Sequence, residues 1–328
     1  MKALNTGILG CAQIAERSVI PAIQSLRREF NILGVASRDE SKANASAKRF
    51  GVTPVFGYDT LLSMAGLDAV YIPLPNGLHA EWIEKALNKG IHVLVEKSLA
   101  CTLEEVTRLN ELAASKGLVL VENFQFRFHP QLKVIQEIVT SGRIGELRCM
   151  RSSFGFPPFP DSKNIRYDKA LGGGALLDAG AYTLKVSQLL LGTDLTVTAA
   201  NLNQGDDSSE VDIWGGAYLK QTDGMIFSEV AFGFDQQYQC SLELWGSKGR
   251  LTTNRVFTAP AGYVAEILIE SGMDKEVVTV EPANHFEQML KHFHELASGG
   301  AGREDEYLQN INQARLIEEV FIQAGYTS

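Results

Sequence analysis

Short β-branched apolar runs, separated by amphipathic stretches of about 10 to 20 residues, constrain the first third of this chain more than any other feature. They fall at 4–10 (LNTGILG), 31–37 (NILGVAS), 69–74 (AVYIPL), 92–97 (HVLVEK) and 118–123 (LVLVEN). Strands apolar on both faces need cover on both sides, and right-handed helical crossovers between parallel neighbours supply it. An α/β architecture is expected, with a doubly wound parallel sheet over 1–123. Beyond 123 the rhythm breaks. A helical segment at 130–141 is followed by strand-like runs at 146–154, 195–203, 211–219, 225–234, 238–245 and 263–270. Turn signals at Thr222-Asp223-Gly224 and Gly246-Ser247-Lys248-Gly249 join neighbours, which favours an open, mostly antiparallel sheet. Helices are expected at 174–191 and 284–297, the latter before the glycine-rich loop 298–302. At about 150 residues per domain, 328 residues agree with two: 1–123 and 124–328.

Composition excludes several classes. A net charge of −9 provides no field to draw the chain onto a phosphate backbone, so nucleic acid is not an expected partner. Cys11, Cys101, Cys149 and Cys240 are scattered without CxxC spacing, which argues against a disulfide framework or a zinc site. No apolar run approaches 18 residues, so no membrane partner is expected. The N-terminus runs straight into a strand pattern rather than a signal peptide, and cytoplasm is the expected compartment.

Gly10 ends the first strand where a dinucleotide-binding turn would lie, with Ala12 and Ala15 at the second and third glycine positions of GxGxxG. Gly10, Ala12, Gln13 and Ile14 are the expected pyrophosphate cradle at a helix N-terminus. An ordinary small-residue turn is the plainer alternative. The second strand ends in Ser37-Arg38, with no acid to hold a ribose 2′-hydroxyl; a hydroxyl plus a guanidinium suits a 2′-phosphate, which favours NADP over NAD. Otherwise Arg38 is a solvated residue stacking on adenine.

Pro75, Asn76 and Glu96 are candidates for the nicotinamide half, and His79 is a weaker one, since a lone histidine there is more often structural. Lys97 follows a buried strand at the sheet's carboxyl edge, where a lysine near a cationic ring exchanges protons readily; a strand-end lysine pointing into water is equally consistent with the spacing. Asp178 and Tyr182 follow a triple glycine and stand four apart on one helical face, as a proton donor with its orienting acid or as a buried polar pair. There is no GxSxG, GxxxxGK[ST] or HExxH, and His292 and His294 are two apart, so no metal site is expected.

GILGCAQIA, PLPNGLHAEWIEKAL, VLVEKSLA, NFQFRFHP and LGGGALLDAGAY, in that order, resemble the Gfo/Idh/MocA oxidoreductases over nearly the whole chain. The resemblance implies an N-terminal Rossmann domain, a C-terminal α/β domain whose open sheet often forms subunit contacts, hence a homodimer or homotetramer, and a bound nicotinamide cofactor. Two departures stand out. The family's EKP reads Glu96-Lys97-Ser98, and where a DxGxHxxD pattern occurs in inositol-dehydrogenase-like members this chain has Asp178, Gly180, Tyr182 and Lys185. Tyrosine in place of histidine resembles the glucose-fructose oxidoreductase, dihydrodiol dehydrogenase and sugar 3-ketoreductase branch. That implies Lys97 and Tyr182 in proton transfer, Asp178 orienting substrate, Arg166 and Lys163 meeting a diphosphate where the substrate is nucleotide-linked, and Arg127 reaching either ligand.

The expected function is NADP-dependent hydride transfer to or from a secondary alcohol or ketone of a sugar, in the reductive direction on a nucleotide-linked 3-keto-deoxysugar. An aldose (xylose or glucose) or trans-dihydrodiol dehydrogenase is the enzymatic alternative. A non-catalytic NADP-binding regulator is the rival from another class.

Overall fold

The computed structural model describes residues 2–161, 163–205 and 209–326. The chain divides into two compact units, Met1–Asn123 with Phe286–Ile311, and Phe124–His285 with Asn312–Ser328.

In the first unit, strands β1 (Leu4–Leu9), β2 (Phe30–Ser37), β3 (Pro54–Phe56), β4 (Ala69–Ile72), β5 (His92–Glu96) and β6 (Leu120–Asn123) form a parallel sheet ordered β3-β2-β1-β4-β5-β6. The order reverses between β1 and β4, and ligands of such sheets bind beyond the strands' carboxyl ends at that switch point. All four residues of β4 are buried, the continuous apolar pattern of a strand covered on both faces. Strand β3, three residues opening on a proline, carries too little pattern to be read from sequence.

The expected division at 123 therefore needs a refinement: 286–311 group with the first unit rather than the second. Hydrogen bonds hold them there. Arg303 Nη1 donates to Gly117 O at 2.7 Å, Tyr307 to Leu118 O, and Asn310 Nδ2 to Leu120 O at 3.1 Å, while His294 meets Phe30 edge-on at 5.6 Å.

The second unit is built on an eight-stranded sheet: β7 (Leu147–Gly155), β8 (Leu195–Asn203), β9 (Trp214–Gln221), β10 (Phe227–Gly233), β11 (Gln239–Gly246), β12 (Arg250–Asn254), β13 (Ala265–Ser271) and β14 (Asp274–Val280). Its order is β14-β13-β12-β11-β7-β10-β9-β8, antiparallel except for the β7–β10 pair. Both expected turns form, joining β9 to β10 and β11 to β12. Along β11, Cys240, Leu242 and Leu244 are buried while Ser241, Glu243 and Trp245 are not, so one face packs on a core containing Phe124, Phe126, Leu176, Phe232 and Phe257. Strands β12 and β14 and the helix Arg303–Gln323 fall where no element was expected. Among the described residues no helix is long and apolar enough to cross a membrane.

Candidate active site

Gly10 leaves β1 with φ 128°, a conformation that requires glycine, and a Cβ there would crowd Leu74 Cδ2 at 3.0 Å. The chain turns helical at Gln13, with a π-turn over Ala15–Val19, and Ala15 is fully buried at the position of the fingerprint's third glycine. Ala12 and Ile14 are half-buried and Gln13 is exposed, their amides in the first turn, where intrahelical acceptors are lacking. These residues fit a pyrophosphate cradle.

On the adjacent strand end, Ser37 Oγ accepts from Asp39 N–H at 3.1 Å, which leaves its own proton to donate. Arg38 is exposed, and its guanidinium lies beside the Tyr58 phenol, which burial pushes up and Arg38 draws back down. Ser37, Lys42 and Ser46 all act on the Cys11 thiol, so the ends of β1 and β2 and the helix Glu40–Phe50 share one polar, partly cationic corner. Tyr58 belongs to that corner and is a residue the sequence reading missed; no spacing signal marked it.

Pro75 caps the short helical turn Asn76–Leu78, and both Pro75 and Asn76 are half-buried. Glu96 Oε1 accepts from Tyr71 Oη at 2.5 Å and from Asn123 Nδ2 at 2.7 Å. Burial raises its pKa against those two bonds and the adjacent Lys97 charge. Tyr71 and Asn123 were missed as well, although a tyrosine in an otherwise apolar buried strand signals a hydroxyl that needs a partner. Lys97 is half-buried directly after β5, and the Lys97–Ser98 peptide is cis.

His79 requires a correction. It is fully buried, with Nε2 2.7 Å from Leu74 O and Nδ1 2.8 Å from Ser98 O. Burial pulls the imidazole down to about 4, so the ring is neutral near neutral pH. Rather than meeting a cofactor, it ties the loop preceding Asn76 to the turn following Lys97.

In the second unit, the helix over 175–191 contains a π-turn, Leu176–Gly180, followed by α-helix Ala181–Leu191. Asp178 Oδ2 accepts from Arg166 Nε at 2.6 Å. Burial alone would lower the guanidinium pKa, but the charge and hydrogen bond of Asp178 outweigh it and hold it above its ordinary value, with Tyr182 adding to the effect. Tyr182 is buried, its ring 5.1 Å from Phe154 and 5.5 Å from Phe124. Arg166, Asp178 and Tyr182 thus form one cluster. Arg166 also lies 4.7 Å over the Phe159 ring. Lys163 is exposed in the preceding turn, and Arg127 stands in the turn Gln125–Phe128 over the Phe128 ring.

The fold agrees with the matches to known proteins. A family model described as an oxidoreductase family with an NAD-binding Rossmann fold matches residues 4–124, and that of the GFO/IDH/MocA C-terminal domain matches 132–252. The chain belongs to the GFO/IDH/MocA oxidoreductase family. The dTDP-3,4-didehydro-2,6-dideoxy-alpha-D-glucose 3-reductase of Saccharopolyspora spinosa is 39% identical over 325 residues, 97% of each chain. The D-xylose 1-dehydrogenase (NADP(+)) 2 of Haloferax volcanii is 31% identical, covering 96% of this chain and 95% of its own. The crystal structure of KijD10, a 3-ketoreductase from Actinomadura kijaniata in complex with NADP and TDP-benzene, matches with a TM-score of 0.94 at 37% identity over 98% of each chain. Within this GFO/IDH/MocA oxidoreductase, Ser98, which replaces the proline of EKP, is buried and supplies the carbonyl that His79 meets.

Proposed function

We propose that this chain is an NADP-dependent reductase of a nucleotide-linked 3-keto-deoxysugar, converting the ketone to a secondary alcohol. The observation that carries the reading is the Arg166–Asp178–Tyr182 cluster in a chain whose near-full-length relatives include a 3-reductase of a dTDP-sugar. Gly10, Ala12, Gln13 and Ile14 hold the pyrophosphate, Ser37 and Arg38 the 2′-phosphate, and Pro75, Asn76 and Glu96 the nicotinamide half. When bound, NADPH supplies the hydride. Tyr182 gives its phenolic proton to the carbonyl oxygen as that oxygen gains charge. Lys97 offers an ammonium to charge that develops in the reaction. Asp178, fixed by Arg166, orients the sugar; Arg166 and Lys163 meet the diphosphate, and Arg127 supports ligand binding from the start of the second unit. The enzyme works as a cytoplasmic homodimer or homotetramer through the open sheet face, where Trp245 is 40% exposed under the Arg151 guanidinium and Tyr218 stacks on Phe227.

A second reading, an aldose dehydrogenase running oxidatively, is favoured by the Haloferax volcanii relative. The deciding experiment measures NADPH oxidation with a dTDP-linked 3-keto-deoxysugar and NADP reduction with xylose, glucose and trans-dihydrodiols. Turnover with the first and not the others supports the reductase. Turnover only in the oxidative assays overturns it.

A further inference from the structure

We infer that Asp212 is a positioning residue for this site: a buried carboxylate between β8 and β9 that fixes the start of the helix carrying Asp178 and Tyr182. The inference rests on the proposed role of Tyr182. Asp212 is 4% exposed; its Oδ2 accepts from Leu176 N–H at 2.6 Å, and its main-chain oxygen accepts from Ala175 N–H at 2.8 Å. Two of the first amides of the helix, which have no acceptor within it, therefore end on one residue.

Gly174 is matched to this contact. Its φ is +111°, and a Cβ there would stand 2.4 Å from Asp212 Oδ1, so a side chain would displace the carboxylate. Asp212 is itself held from the sheet. Ile213 N–H donates to Asn203 O at 2.7 Å, at the end of β8, and Ile213 O accepts from Phe234 N–H at 2.8 Å, just past β10. The helix start is thereby pinned to the sheet.

Between this anchor and Tyr182 lies the π-turn Leu176–Gly180, with Asp178 N–H bonded to Gly174 O at 3.2 Å. A π-turn departs from the 3.6-residue repeat, so the directions of Asp178 and Tyr182 depend on where the helix begins.

Burial pushes the Asp212 carboxyl up to about 6, against the amides of Leu176, its own residue and Ala175. Any stability that follows from the raised value is present at low pH and lost as pH rises through about 6. Among the described residues, a titratable group on a neighbouring segment that feels it is the Tyr326 phenol, raised by burial and then by Asp212; on the helix itself the charged side chains are Asp178 and Lys185.

The test uses the full chain as wild type, Asp212→Ala, Gly174→Ala, Asp212→Asn and Tyr182→Phe, with dTDP-3,4-didehydro-2,6-dideoxy-alpha-D-glucose and NADPH. Asp212→Ala and Gly174→Ala are expected to lower kcat by about tenfold or more, the scale of a small misplacement, with NADPH binding unchanged. Asp212→Asn keeps an acceptor for Leu176 N–H and stands in for the protonated acid. It is expected to retain kcat within about threefold and to lack the fall in kcat expected of the wild type below about pH 6, where a charge-assisted bond becomes a neutral one of about half the strength. Wild-type kcat in Asp212→Ala, or the wild-type step near pH 6 persisting in Asp212→Asn, overturns the inference, and the asparagine variant decides alone where the alanine variants do not fold. Wild-type turnover in Tyr182→Phe overturns the functional reading instead.

Discussion

Replacing Tyr182 by phenylalanine separates chemistry from packing at this position. The ring lies 5.1 Å from Phe154, 5.5 Å from Phe124, 5.6 Å from Phe257 and 5.8 Å from Phe126, and the residue is 8% exposed. Phenylalanine keeps all four ring contacts and loses only the hydroxyl. The expected stability change is therefore about 1 kcal/mol, the net worth of a hydrogen bond. Removing the ring altogether, in Tyr182→Ala, would cost about 3–5 kcal/mol. Loss of a general acid lowers turnover by roughly 10²–10⁴-fold, which at about 1.36 kcal/mol per decade is about 3–5 kcal/mol of barrier. The phenylalanine variant is thus expected to carry the catalytic loss of the proposed role without the packing loss. Turnover is followed by NADPH absorbance with saturating keto-sugar, stability by urea unfolding, and cofactor affinity by NADPH titration. A phenylalanine variant that turns over within about threefold of wild type would remove Tyr182 from proton transfer. One as unstable as the alanine variant would show that the hydroxyl serves the core.

Three further outcomes are expected. Arg38→Ala should abolish the preference for NADP over NAD, read as the ratio of kcat/KM for the two cofactors; an unaltered ratio contradicts the 2′-phosphate assignment. Arg166 and Asp178, paired at 2.6 Å with side chains 37% and 16% exposed, should couple by about 1 kcal/mol in a double-mutant cycle of unfolding, a figure already lowered for solvent at the arginine, and additive single mutants would refute the pairing. Because the folded pKa of Glu96 is raised, its contribution to stability is present at low pH and is lost as pH rises through that value. Relative to Glu96→Gln, the wild type should therefore become less stable as pH increases, and parallel stability–pH curves would show that the carboxyl is not held above its ordinary range.

The parallel sheet was legible because strands buried on both faces carry near-continuous apolar runs, as all of β4, Val93–Val95 of β5 and Leu120-Val121 of β6 do, with helical stretches between them. Strand β9 shows the limit of pattern. The apolar run suggested a start at 211, but 211–213 form the loop that delivers Asp212 to the helix, and the strand begins at Trp214. His79 shows another: a histidine opening a helix near a nucleotide-binding loop looks like a ligand contact until its two nitrogens are found on two buried carbonyls.

Local chemistry written along the chain determined the βαβ order, the glycine turn at Gly10 and the Ser37-Arg38 strand end, since each depends on neighbours within a few residues. Tertiary structure alone decided that Tyr71 and Asn123 clamp Glu96, that 286–311 group with the first unit, and that Asp212 ends the amides of a helix 36 residues away. Those contacts join groups distant along the chain, and no periodicity records them. They exist because a buried N–H, hydroxyl or carboxylate must find a partner wherever the fold brings one within reach.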